Sequence, residues 1–141
     1  MKIQAKRIES PFLMEATNSD GNIILMDAGV AVGGKGKGVR PTELLLMGVA
    51  GCSGIDILSI LEKQKQNLTD FTVDVDSESE KVAQHKEFKK IIVHYTFTGD
   101  VDPEKAKRAI ELSLGKYCSV SKMLEKSAEI TFSFSVNGTK Y

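Results

Sequence analysis

Two thiols have the widest chemical reach of any side chains in this sequence. Cys52 lies in a long apolar stretch, and Cys118 sits at a break between two expected helices. A thiolate is a nucleophile, an oxidisable group and a metal ligand. A free Cys is also one of the side chains most often buried and inert. For both positions, composition alone favours the inert reading, and the surrounding residues must decide.

The neighbours of Cys52 sharpen the question. On a helix it shares a face with Gly48, Gly51 and Ile55. Gly48, Gly51 and Gly54 recur every third residue, and each costs about 1 kcal/mol relative to Ala in a helix interior. The return for that cost is either close packing against another helix or room for a small ligand beside the thiol. Asp56 follows Cys52 by one helical turn and faces nearly the same way. An unpaired carboxylate there would raise a thiol pKa and oppose reactivity. Asp56 must therefore be bonded, with a Lys or the backbone of a second subunit as candidate partners. Cys118 opens a short helix, where the dipole favours a thiolate; a buried cap residue is the alternative.

Other motifs carry less. Gly29-x4-Gly34-Lys35 copies part of a phosphate-binding loop, but Gly36 stands where a magnesium-holding Ser or Thr is needed. Five residues also separate Lys35 from the expected helix start at Pro41. The segment reads instead as a flexible basic flap near the entrance of a dimer. His85 falls in a polar loop and His94 on the wet face of a strand, without metal-ligand spacing, so no metal is expected.

The elements that must position the thiols are legible from periodicity. Three short strands are expected at about 2–9, 11–17 and 22–27, with a turn at Asn18-Ser19-Asp20-Gly21-Asn22. Their Ile, Leu and Met content calls for cover on at least one face. A helix is expected from 41 to about 66, with Pro41 as its first residue and Glu43 in its first turn. Between Leu44 and Leu61 it is apolar in almost every direction, which means burial or a membrane span. Asp56 and the interspersed Gly and Ser favour burial. A few short strands of one chain cannot wrap such a helix, so a second copy is expected to complete the cover. Leu45, Ile57 and Leu61 should not all be covered within one chain.

Strict alternation follows around Phe71–Asp76, Ile91–Phe97 and Ile130–Val136, which predicts an antiparallel sheet wet on one side. Between the last two strands, Asp102 should cap a helix started by Pro103, with Ala106, Ala109, Ile110, Ser113 and Tyr117 on one face. A short helix at about 119–127 completes the expected set.

Composition sets the outer bounds. The 141 residues carry 41% apolar and 27% charged side chains, as in one ordinary domain spanning 1–141. Nineteen basic residues balance nineteen acidic ones and aromatics are 6%, which argues against a nucleic-acid partner. The start MKIQAKRIES alternates rather than forming an apolar run, so a cytoplasmic protein is expected, without a membrane partner.

Taken in order, RPTELLLMGVAGCSGIDILSILEKQKQ resembles the central helix of the OsmC/Ohr family, and KYCSVSKMLEK resembles its second motif, in which a Cys opens a short helix. HKEFKKIIVHYTFTG and the last strand match in kind and order, so the resemblance covers nearly the whole chain. Pro41-Thr42-Glu43-Leu44 and Gly51-Cys52-Ser53 are most similar to the YhfA-like branch. The resemblance implies an α+β fold, with antiparallel sheets packed around a long buried central helix in an intertwined homodimer. It implies a thiol peroxidase for organic hydroperoxides, in which Cys52 becomes a sulfenic acid, Cys118 resolves it and an external dithiol reduces the disulfide, with no cofactor. Two features depart from the peroxidase pattern. The Glu of Ohr enzymes ten residues before the first Cys is Thr42 here, with Glu43 next to it, and no Arg follows a Gly pair. Glu43, Arg40 and Arg7 are the candidates left for those roles. The alternative function is a non-catalytic dimeric protein that binds a small apolar or thiol-reactive ligand beside Cys52.

Overall fold

The computed structural model describes residues 1–141, which form two compact units, Met1–Leu45 and Leu46–Tyr141. In the first, β1 (Ile3–Glu9), β2 (Leu13–Asn18) and β3 (Ile23–Met26) form an antiparallel sheet in chain order. The β2–β3 turn forms because Asn18 Oδ1 accepts the backbone N–H groups of Asp20 and Asn22, at 3.0 and 2.9 Å. Leu13 and Ala16 are buried, but Ile3 and Ile23 remain 61% and 60% exposed. Within one chain the sheet is therefore covered only in part.

The glycine-rich loop is not the loose flap expected. Asp27 is buried, and its carboxylate accepts the N–H groups of Ala28, Lys35 and Lys37 at 2.8, 2.9 and 3.2 Å. Burial alone would raise the Asp27 pKa, but these donors and Gly36 outweigh it and hold the carboxyl below its ordinary value. Lys35 and Lys37 both reach Glu9, holding its carboxyl at about 2. Gly34 and Gly38 are required by close approach: a Cβ would lie 1.8 Å from the Ala28 carbonyl oxygen or 2.7 Å from the Leu25 backbone. Asp27→Ala should leave three loop donors without an acceptor, so trypsin should cut after Lys35 and Lys37 much faster than in the native chain. Equal cleavage rates would show that the carboxylate does not hold the loop. The native bonds themselves should persist through neutral pH and weaken only on acidification through the carboxylate range, because a lowered pKa contributes stability above its titration and loses it below.

Helix α1 (Pro41–Lys63) starts in the first unit and continues into the second. Its length and hydropathy alone would pass for a membrane span. Val49, Ile57 and Leu61 instead join the core of the second unit with Ile91, Val93, Tyr95 and Phe97. The expectation of a helix buried on all sides is not met within one chain. Ile57 and Leu61 are covered, whereas Leu45, Met47, Ile55 and Leu58 are 41–70% exposed.

In the second unit, β4 (Asn67–Val82) and β5 (His85–Asp100) form a long antiparallel hairpin, so His85 begins a strand rather than lying in a loop. β6 (Glu129–Val136) and β7 (Thr139–Lys140) complete the order β4-β5-β6-β7. The expected all-antiparallel sheet is corrected here, since β5 and β6 are parallel, with Ile91 beside Ile130 and Phe97 beside Val136. The reason is the helical crossover between them, α2 (Pro103–Leu112) and α3 (Ser119–Leu124), which returns the chain to the end where β5 began. Asp102 caps α2 as expected, accepting from the N–H groups of Glu104 and Lys105. Ala106, Ala109, Ile110 and Ser113 are buried, but Tyr117 is 50% exposed. Ser113–Tyr117 forms a π turn, closed by the Cys118 N–H on the Ser113 carbonyl at 2.8 Å. The extra residue in that turn carries Tyr117 off the buried face.

Candidate functional site

The π turn delivers Cys118 to the N-cap of α3, close to α1. There the sulfurs of Cys52 and Cys118 and a carboxylate oxygen of Asp56 lie within 4.8 Å of one another. The two thiols are unequal. Cys52 is half-buried, whereas Cys118 is fully buried. Cys118 caps α3 through its sulfur, which accepts the Ser121 N–H at 3.4 Å and the Ser121 hydroxyl at 3.1 Å. Burial pushes the Cys118 thiol above its ordinary pKa and Cys52 beside it pushes the same way, while the Ser121 donors pull against them.

Within the chain, the partner of Asp56 is the Ser113 hydroxyl rather than a lysine. The Ser113 hydroxyl lies 3.1 Å from Asp56 Oδ2 and 3.3 Å from the Ser53 carbonyl oxygen, so one proton is shared between two acceptors. Beneath this, the buried Tyr95 hydroxyl donates to Ser53 Oγ at 2.9 Å, and Ser53 donates to the Val49 carbonyl at 2.7 Å. Burial, with Cys118 nearby, pushes Tyr95 up to about 12, so it remains a donor. These hydroxyls satisfy groups that would otherwise be costly to bury. An open groove of about 570 Å³ runs beside Asp56, lined also by Ile60, Gln64, Leu112 and Tyr117.

The three small residues of α1 do different things. A Cβ on Gly48 would press on Val120 at 3.4 Å, and one on Gly54 on Phe71 at 3.3 Å; one on Gly51 would meet open space. Two of the glycines thus admit side chains of the same chain, and the third borders an open face.

The other candidates lie in the first unit. Arg40 and Glu43 engage each other: the Arg40 backbone N–H donates to Glu43 Oε2 at 2.8 Å, and the guanidinium binds Oε1. That is half of a capping box at the start of α1, and Arg40 holds the Glu43 carboxyl below its ordinary pKa. Arg7 lies on exposed β1, opposite Met14 at a bulge. Sequence reasoning missed Ser53, Ser113, Ser121 and Tyr95 as parts of the site. Ser121, three residues after a helix-opening Cys, carried a capping signal. The others announced themselves only as a helix-face and strand alternation.

A family model described as OsmC-like protein matches residues 34–133. The chain is 40% identical over 139 residues to Protein YhfA of Escherichia coli K12, an alignment covering 96% of this chain and 98% of that one. It superposes on a hypothetical protein from Aquifex aeolicus with a TM-score of 0.79 at 27% identity, covering 96% of each chain. It also superposes on an organic hydroperoxide resistance protein OsmC from Legionella pneumophila with a TM-score of 0.74 at 18% identity, again covering 96% of each.

Proposed function

The chain belongs to the OsmC-like protein family, and we propose that it is a thiol-dependent peroxidase that reduces organic hydroperoxides in the cytoplasm as a homodimer. The observation that carries this reading is the approach of Cys52 and Cys118 at the middle of α1, with one thiol accessible and the other buried. That inequality supports the following division of roles. The Cys52 thiolate attacks the terminal peroxide oxygen, the O–O bond breaks, and the alcohol leaves after taking a proton, with Cys52 as sulfenic acid. Cys118, shielded from the peroxide, then attacks the Cys52 sulfur; water leaves and a disulfide forms. Asp56 lies beside both sulfurs, placed to take the Cys118 proton and pass it to the departing hydroxyl, which leaves as that water. An external dithiol returns the two electrons. The groove beside Asp56, with Ile60, Leu112 and Tyr117 along it, suits the apolar part of an organic hydroperoxide.

Attack by Cys52 needs a cation to offset Asp56 and the dry surroundings. Arg40 precedes α1 and Cys52 lies twelve residues further on, about 18 Å along the helix, so Arg40 or Arg7 is proposed to act across the homodimer rather than within one chain. A second reading, a non-catalytic protein that holds a small apolar or thiol-reactive ligand at Cys52, draws on one observation: the groups acting on Cys118 are burial, Ser121 and Cys52, none of them a cation.

Mild oxidation of the reduced protein should link Cys52 to Cys118 within one chain, as read by peptide mapping without reductant. Disulfide geometry requires Cα atoms within about 7 Å. Intermolecular links alone, or overoxidised Cys52 beside free Cys118, would remove Cys118 from the resolving role.

A further inference from the structure

We propose that the reduced protein binds one thiophilic divalent cation, Zn²⁺, through Cys52, Cys118 and Asp56. The inference goes beyond the peroxidase reading and does not require it. Sequence reasoning looked for metal at the histidines, whereas the fold gathers a different donor set. Two sulfurs and a carboxylate oxygen lie within 4.8 Å of one another. In a tetrahedral zinc site, with Zn–S of about 2.3 Å, two sulfurs stand about 3.8 Å apart, so side-chain rotation covers the difference. Two thiolates and a carboxylate match the preference of zinc for sulfur with a hard third ligand, and a fourth position is left for water.

The surroundings fit as well. Ser113 donates to Asp56 and Ser121 to Cys118, which are the outer hydrogen bonds that orient metal ligands. Ser53, Ser113, Ser121 and Tyr95 surround the ligands with neutral hydroxyls, while Lys63 lines the open groove on the Asp56 side. Two neighbouring thiols in a dry site oppose each other's ionisation, and a cation between them reverses that. Binding exchanges two thiol protons for one Zn²⁺, leaving both sulfurs as thiolates, so affinity rises with pH. A disulfide between the same sulfurs and a bound ion exclude each other.

The test uses the full-length reduced protein with Zn²⁺ and Co²⁺ as probes. One Zn²⁺ per chain should survive gel filtration, and Co²⁺ should give an intense thiolate-to-cobalt charge-transfer band. Zn²⁺ should also slow alkylation of Cys52. Asp56→Asn should weaken binding by about tenfold or more, at least as much as losing an outer partner costs. Cys118→Ser should weaken it further and remove part of the cobalt band. Folding of both variants is checked by circular dichroism, and the cobalt band of the native chain decides the matter if either fails to fold. Absence of that band, or retention of Zn²⁺ unchanged in Cys118→Ser or Asp56→Asn, would overturn the proposal.

Discussion

Cys52→Ser is expected to reduce organic hydroperoxide consumption to the background of the buffer, and Cys118→Ser to permit one turnover and no second. A serine hydroxyl cannot accept the peroxide oxygen and then be restored by a dithiol, so the first substitution removes the reaction rather than slowing it. Without Cys118, the sulfenic acid on Cys52 still forms and one alcohol is released per chain, but no internal thiol closes the cycle. A stopped-flow burst of one equivalent followed by a flat baseline is the signature. A thiolate near neutral pH must lie well below the reference thiol value of about 8.5, and each unit requires about 1.4 kcal/mol of preferential stabilisation. One well-aimed guanidinium supplies that, whereas a distant exposed ammonium does not. Arg40→Met or Arg7→Met should therefore slow peroxide consumption at neutral pH. If Cys52 alkylates and oxidises no faster than free cysteine at pH 7, the enzyme reading falls and the binding-protein reading takes its place.

A charge placed in the exposed stripe of α1 is expected to break assembly. At 100° per residue, Met47, Leu58, Gly51 and Ile55 fall within about 80° of one another, beside the edge that carries Cys52. Ile55 is 70% exposed, Met47 49% and Leu58 41%, and Gly51 borders open space. Burying such side chains is worth about 1.5–3 kcal/mol each, and in a two-fold dimer each contributes twice. Ile55→Glu would place two carboxylates in that interface, so sedimentation should show loss of the dimer and thermal unfolding at a much lower temperature. A native chain that sediments as a stable, folded monomer at micromolar concentration would sink the dimer proposal.

Much of this chain is legible in local signals. Pro41 and Asp102 fix two helix starts, since a missing N–H and a capping carboxylate act within one turn. The Asn18–Asn22 turn and the alternation of Ile91, Val93, Tyr95 and Phe97 are likewise readable, because each depends on neighbours a few residues away. The two thiols stand out as candidates too, as a reactive residue type set among small residues and at a helix start. Tertiary structure alone decides the rest. The parallel pairing of β5 with β6 follows from the path of the crossover, and the π turn that moves Tyr117 out and Cys118 in follows from packing. Asp56 finds Ser113, and Asp27 gathers the loop N–H groups, across separations that no periodicity encodes. The apolar run of α1 likewise does not say which of its faces its own chain will cover. Ile57 and Leu61 are buried and Ile55 and Leu58 are not, because burial depends on where β5 and α2 come to rest, and that is set by contacts distant in sequence.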